Sequence, residues 1–303
     1  MDPVIVFGPT GNIGAVVART AAQAGAKVVL AMRDTNKTIT GIDEQSGSFT
    51  RVHADLQKPE TVEEAVRSTG AKRAFVYIAP RTPDHMKGTF AAMKAGGIDF
   101  VVFLSSFTVP TDVPLKDVPQ SELIAYFHAQ AEASLHEVYD AGHFVSLRPG
   151  SFATNHLRQK DNIRKGQVAL HAPDFRQDNI TFGDIGEVGG AILVSGPQDN
   201  QQYVYLHGPQ VIPQREAVIQ IGEVLGVEVK VTELNDEQAL EQYLAQGTPK
   251  PFAEYMVRAA SNPNSSLKFP HLDEGVQNVQ RYAKHPATPL RAWVEANSGL
   301  FAA

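Results

Sequence analysis

The chain opens on the feature that most limits its fold. Pro3-Val-Ile-Val-Phe7 is an apolar run, and it meets Gly8-Pro-Thr-Gly11-Asn-Ile-Gly14. Ile13–Ala24 then shows helical spacing with many small residues, and Gly25 stops it. This reads as strand, tight glycine turn and helix within residues 3–24. A strand that is apolar at every position is buried on both faces. It therefore needs parallel neighbours and helices above and below.

The following residues supply them. Lys27–Ala31, Ser48–His53, Arg73–Ile78, Phe100–Ser105 and Phe144–Leu147 read as strands. Pro59–Ser68, Thr82–Ala95 and Glu122–Tyr139 read as helices, the second stopped by Gly96-Gly97. Such alternation predicts an α/β fold, a Rossmann-type doubly wound parallel sheet with a smaller mixed C-terminal lobe. The domain expectation is a nucleotide-binding unit over 1–150 and a substrate lobe over 151–303, with part of 179–210 packing back on the sheet. In the second half, Asn179–Leu193 reads as a short strand then a helix, and Tyr203–His207 as a strand. Pro213–Leu225, Glu237–Leu244, Pro251–Ala260 and Thr288–Asn297 read as helices, the last carrying the single tryptophan, Trp293. Thr111–Gln120 and Arg158–Asp178 are expected as loops placed to act as lids.

Composition removes several classes. The 303 residues include no cysteine, so disulfides, zinc–thiolate sites and a cysteine nucleophile are excluded. The net charge of −6, without a Lys/Arg run, argues against nucleic acid and anionic membrane surfaces. No apolar stretch reaches the ~18 residues of a membrane span. The first strand starts at residue 3, so no signal peptide is expected and a cytoplasmic location is the default. His85, His156 and His171 are expected at the surface. They lack metal-ligand spacing, so no metal is expected.

The glycine turn points to a dinucleotide. Gly8 permits the tight turn, Gly11 lets backbone approach a diphosphate, and Gly14 lets helix and strand pack closely. Gly8, Thr10, Gly11, Asn12 and Ile13 are the expected diphosphate contacts, aided by the helix dipole. After the second strand stand Arg33 and Asp34. Arg33, with Lys37, suits the 2′-phosphate of NADP. Asp34 suits an NAD ribose, and a plain Arg33–Asp34 surface pair is the third possibility. Asp55 and Leu56 are placed for the adenine, unless Asp55 caps the next helix. Ala79 and Pro80 are small residues beside which a cofactor passes.

Gly8–Gly14, Arg33, Asp55-Leu56, Ser105-Ser106, Arg148-Pro149-Gly150-Ser151-Phe152 with Asn155, Asp184-Ile-Gly and His207-Gly208-Pro209 together resemble the NmrA-like family of atypical short-chain dehydrogenases/reductases. The likeness runs over almost the whole chain, including Pro286-Ala-Thr288-Pro-Leu and Trp293. It implies NADP (NADPH) as cofactor and adds Pro149, Gly150 and Phe152 to the cofactor contacts. The family includes quinone reductases, isoflavone-reductase-like enzymes and redox-sensing regulators. Ordinary short-chain dehydrogenases carry Tyr-x-x-x-Lys on the long helix. Aligned on Glu132, the lysine place holds His128 and the tyrosine place Ile124.

His128 is therefore the candidate to hold the nicotinamide ribose or to donate a proton; the alternative is a packing histidine. Ser106 is the candidate to orient a substrate oxygen, or else a strand-end cap. Phe107, Phe152, Asn155 and Tyr255 are candidates for the substrate pocket, the aromatic ones equally suited to plain core. Without Tyr and Lys, the favoured reaction is hydride transfer from NADPH to a quinone, enone or cyclic iminium. The rivals are an NADP-binding regulator with a protein partner, and a non-redox enzyme on the same fold. A small-molecule substrate and a monomer or homodimer are expected.

Overall fold

A computed structural model of the chain describes residues 2–79, 82–261 and 269–302. The first half runs β1 (Val4–Phe7), α1 (Asn12–Gln23), β2 (Val28–Met32), β3 (Phe49–His53), α2 (Pro59–Thr69), β4 (Arg73–Tyr77), α3 (Lys87–Gly96), β5 (Phe100–Leu104), α4 (Leu123–Val138) and β6 (Phe144–Pro149). It continues with α5 (Lys160–Arg164), β7 (Gln167–His171), β8 (Arg176–Gln177), α6 (Phe182–Ser195), β9 (Tyr203–Leu206) and β10 (Ile212–Pro213). The last part is α7 (Gln214–Leu225), β11 (Lys230–Leu234), α8 (Asp236–Ala245), α9 (Lys250–Ser261), α10 (Leu272–Ala283) and α11 (Leu290–Ala296).

Seven strands form one sheet in the order β3-β2-β1-β4-β5-β6-β9, every neighbouring pair parallel. The order reverses between β1 and β4, which makes the crevice beyond their carboxyl ends the natural ligand site. Alternation along the strands divides the core in two. Val4, Val6 and Phe75 face α1, α6 and α10, while Ile5, Phe7, Ala74 and Val76 face α2, α3 and α4. Helices α1 and α6 approach closely because glycine faces them: a Cβ at Gly186 would lie 2.4 Å from the Val16 Cβ.

The remaining elements form a lobe at the sheet's carboxyl end. Parallel β7–β11 and antiparallel β8–β10 pairs pack with α5, α7 and α11 around Ile163, Val168, Ile221, Trp293 and Phe301. The chain does not divide once. α6 and β9 belong to the large sheet layer, and α10 returns to pack on both.

Several local expectations need correction. The helix expected from Thr82 starts at Lys87, because His85 (φ 51°) and Met86 (φ 68°) take left-handed conformations. Met86 turns inward instead, and its Sδ accepts from the Ala79 N–H at 3.2 Å. Arg158–Asp178 is not one loop, since α5, β7 and β8 lie within it. The strand expected at Asn179 is a single bridge, Ile180 to Phe152. β7, β11 and α10 have no counterpart in the sequence reading. β11 is largely exposed, so it lacks the apolar run by which a buried strand is recognised. His156 and His171 are buried, not superficial. His156 Nε2 meets Asn179 Oδ1 at 2.7 Å, and burial lowers the pKa of this ring.

Two outcomes are expected. Gly186→Ala overpacks the α1–α6 contact and lowers stability by about 1–3 kcal/mol in denaturant unfolding. Glu137, on α4, is paired with Lys116 at 2.5 Å and Lys87 at 2.6 Å, which lowers its pKa from 4.5 to about 2. A depressed carboxylate contributes stability above its unfolded pKa and loses it as pH falls through the folded value. Glu137→Gln should therefore remove part of the acid-induced loss between pH 4.5 and about 2, read from unfolding midpoints across that range.

Candidate active site

The glycine turn has the form a diphosphate requires. Gly8 sits at φ 70°, and a Cβ at Gly14 would fall 2.3 Å from the Gly8 carbonyl oxygen. Only glycine permits this closeness of turn and helix. Helix α1 starts at Gly11 with no side-chain cap and no acidic residue in its first turn. Its leading amides and the positive end of its dipole are thus left for an anion. Thr10, Gly11 and Asn12 are exposed around it, while Ile13 packs partly on the core. Tyr77, at the end of β4, leans over the turn. A Cβ at Gly8 would lie 2.4 Å from its ring, which is 38% exposed. The sequence reading passed over Tyr77; its place as the last residue of β4 was the available signal.

At the far end of this crevice, Arg33 is exposed and forms no salt bridge among the described residues. The Asp34 carboxylate accepts from the Asn36 N–H at 2.9 Å, within its own turn. The Arg33–Asp34 surface pair is thus not formed. Arg51 reaches back from β3 to the Lys37 carbonyl at 3.0 Å, and also bonds the Thr35 carbonyl and Glu44. It fixes the loop bearing Arg33 and Lys37. Arg51 was missed because its partners, two loop carbonyls and Glu44, lie 7 to 16 residues away in the chain. Asp55 accepts from the Gln57 N–H at 3.1 Å, a local turn bond. Leu56 is core, with 7% exposure, and its carbonyl takes the Thr89 hydroxyl at 2.8 Å. Ala79 is buried, and Pro80 lies outside the described residues.

Beside the crevice stands α4. Ile124, His128 and Glu132 succeed one another at four-residue spacing, so they share one stripe. Glu132 is fully buried and grips Arg148 of β6, with Nη2–Oε2 at 2.6 Å and Nε–Oε1 at 3.1 Å. Ser105 donates to Glu132 at 2.5 Å, and Arg148 donates to the Tyr205 hydroxyl at 3.0 Å. Ser105 is therefore committed to the pair. Ser106 is only 8% exposed, and its hydroxyl is 2.9 Å from that of Thr108.

His128 Nδ1 lies 2.8 Å from the Ile124 carbonyl oxygen. A carbonyl only accepts, so Nδ1 carries the proton. Burial lowers the pKa of this ring, more than the Ile124 carbonyl and the Glu132 charge raise it. Burial favours the neutral ring, in which Nε2 carries the lone pair.

The lobe side is closed by a second buried pair, unread in the sequence. Asp178 accepts from Ser151 N–H at 2.7 Å, Gly208 N–H at 3.1 Å and His207 Nδ1 at 3.0 Å. His207 Nε2 meets the Pro270 carbonyl at 3.0 Å, which ties the start of the α10 segment to β9. This explains Gly150: a Cβ there would lie 2.1 Å from the Asp178 carboxylate. Gly150 and Pro149 are both buried beside this clamp. Phe107 stacks on Phe269 with centroids 5.5 Å apart, Phe152 packs on the sheet core and Asn155 is exposed. Tyr255 of α9 is buried, and Arg258, one turn on, donates to the Ser121 carbonyl just before α4.

A hollow of about 720 Å³ lies elsewhere, between β11, α8 and α9, and includes His171, Asp236 and Ser261. Asp236 Oδ1 at 2.9 Å and Ser261 Oγ at 3.1 Å share one nitrogen, His171 Nε2. A nucleophilic triad needs carboxylate and hydroxyl on opposite nitrogens, so this is no hydrolytic site.

Sheet order, uncapped glycine turn and free Arg33 define a Rossmann protein of the NAD(P)-binding class. Residues 8–193 match the NAD(P)H-binding family model. The nitrogen metabolite regulation-like protein bik4 of Gibberella fujikuroi is 32% identical over 96% of this chain and 95% of its own. The chain belongs to the NAD(P)H-binding family and, within it, to the NmrA-like group. A (4-alkanoyl-5-oxo-2,5-dihydrofuran-3-yl)methyl phosphate reductase of Streptomyces griseus is 27% identical over 99% of each chain. The fold matches the NADPH-dependent quinone oxidoreductase QOR2 of Escherichia coli, solved with NADPH, at TM-score 0.75 and 18% identity, over 98% of this chain and 99% of that one.

Glu132→Leu, which leaves Arg148 buried and unpaired, should cost about 3–5 kcal/mol in denaturant unfolding. The double variant Glu132→Leu/Arg148→Met should cost less than the single one, because no lone charge remains.

Proposed function

We propose that the protein is an NADPH-dependent oxidoreductase acting on a small quinone, enone or cyclic iminium. The observation that carries this reading is the joint state of Arg33 and His128. The Arg33 guanidinium, without an ion pair among the described residues, stands just after β2, and the His128 imidazole, with Nδ1 on the Ile124 carbonyl, stands one turn before the Glu132 that meets Ser105 and Arg148. The first suits a 2′-phosphate, and the second suits a ribose hydroxyl. Reductases among the similar proteins support the same reading.

The bound reduced nicotinamide supplies a hydride. The chain's own residues do the rest. The first turn of α1 binds the diphosphate through its amides. Arg33 and Lys37 hold the phosphate on the adenosine ribose, on a loop braced by Arg51. His128 Nε2 accepts from the nicotinamide ribose, kept in tautomer by the Ile124 carbonyl. Ser106 orients a substrate oxygen, and Phe107 and Phe152 bound the pocket. In support of this arrangement, the glycine turn, Arg33, Ser106, Phe107 and Phe152 each follow the carboxyl end of a strand.

A second reading has its own support. The relative with 32% identity carries a regulatory name. A sensor would bind NADP(H) without consuming it and engage a protein partner according to redox state.

Purified protein should consume NADPH faster than NADH against a panel of quinones, enones and cyclic iminium salts. Cofactor binding with no consumption across the panel favours the sensor. Arg33→Ser should raise KM for NADPH about tenfold or more and leave that for NADH nearly unchanged. Equal effects on both cofactors would remove Arg33 from the 2′-phosphate site. His128→Ala should weaken NADPH binding by about tenfold, the loss of one hydrogen bond, measured by cofactor fluorescence titration.

A further inference from the structure

We propose that Tyr77 is a cofactor-binding residue, whose hydroxyl donates to the diphosphate seated on the glycine turn. This rests on the place given above to the diphosphate and deepens it. It holds for the enzyme and for the sensor alike.

The turn is short of donors. Pro9 has no N–H, and no lysine or arginine lies within residues 8–14. The Gly11 N–H is spent on the Gly8 carbonyl at 3.1 Å. What remains for an anion is the amides of Asn12, Ile13 and Gly14, the first of α1. A diphosphate carries oxygens on two phosphorus atoms, so part of its charge is left for a donor from a neighbouring element.

Strand β4 lies beside β1 and brings one. The parallel register pairs Val6 with Phe75, so Gly8 and Tyr77, two residues on in each strand, stand level at the carboxyl end. Tyr77 is the last residue of β4 and shares a face with Phe75, which packs toward α1. Its ring therefore projects on the side where α1 begins. The ring edge rests on Gly8: from the position of a Cβ there, Cε1 lies 2.4 Å, Cζ 3.1 Å and Cδ1 3.2 Å away. Cζ carries the hydroxyl, so the O–H is held one bond from an atom that touches the turn. Ala74, Phe75 and Val76 before it are buried, whereas Tyr77 is 38% exposed. Among the described residues its hydroxyl has no hydrogen-bond partner. A phenol O–H so placed gives a charge-assisted hydrogen bond to a phosphate oxygen. The diphosphate is common to NADPH, NADH and ADP-ribose, so Tyr77 serves all three equally, unlike Arg33, which meets only the 2′-phosphate.

The test is Tyr77→Phe, which keeps the ring on Gly8 and removes only the hydroxyl. Binding of NADPH, NADH and ADP-ribose is measured by calorimetry. No acceptor is present, so the result does not depend on whether the bound cofactor is consumed. Each ligand should bind the variant about tenfold more weakly than wild type, and by the same factor. The unfolding midpoint of the free protein should stay within a few degrees, which separates lost binding from lost folding. Unchanged affinity for all three ligands overturns the assignment. So does a loss confined to NADPH and NADH, because the hydroxyl then meets the nicotinamide half, and so does a loss for NADPH alone, which belongs to the 2′-phosphate. Wild-type protein that binds none of the three removes the diphosphate site itself, and Tyr77 with it.

Discussion

Arg148 lies in the middle of the molecule with 2% of its side chain exposed, and a guanidinium there must be met on every side. Glu132 meets it in two places, Tyr205 meets Nη1, and the Tyr203 ring lies 4.1 Å beneath the charge. Because Glu132 is on α4, Arg148 on β6 and the tyrosines on β9, the pair holds one helix to the edge of the sheet in one register. Sliding α4 by a residue would leave two buried charges apart. Much of the site follows from this. His128 stands one turn before Glu132, and Ser105 is drawn into the pair.

A second buried carboxylate stands at the end of the same strand, β6. Asp178, buried under the lobe, gathers two backbone amides and the His207 ring, and His207 in turn holds the Pro270 carbonyl. This clamp joins the end of β9, the stretch before α6 and the approach to α10. It also gives Gly150 its reason, which is room for a carboxylate. Both networks sit on the β6–β9 side of the sheet, at Arg148 and at Gly150 and Ser151, while the glycine turn follows β1.

His128 illustrates how environment assigns a role. In water its ring would be partly charged near neutral pH and able to give a proton. Here burial disfavours the charged ring, and the Ile124 carbonyl decides which nitrogen keeps the proton when the ring is neutral.

The sequence alone determined the parallel sheet, the glycine turn and the ends of the strands, because those depend on short-range rules. Apolar runs in Val4–Phe7 and Phe100–Leu104 can only be buried on both faces, and Gly8–Gly14 tolerates no Cβ where the turn meets the helix. It also placed Arg33 at the tip of β2 and His128 on the long helix. Partnership between distant residues lay beyond it. Nothing near Met86 announces that its sulfur will accept from Ala79 and delay α3, and nothing near His156 announces Asn179. β7 and β11 pair across some sixty residues, Lys230 with Gln167, without the alternation that marks a strand. Tertiary structure alone decided that Leu56 is core, that Gly150 makes way for Asp178, and that His128 Nδ1 meets the Ile124 carbonyl beside the buried Glu132. Each of these depends on desolvation or on a contact between segments far apart in the chain, and both exist only once the chain has folded.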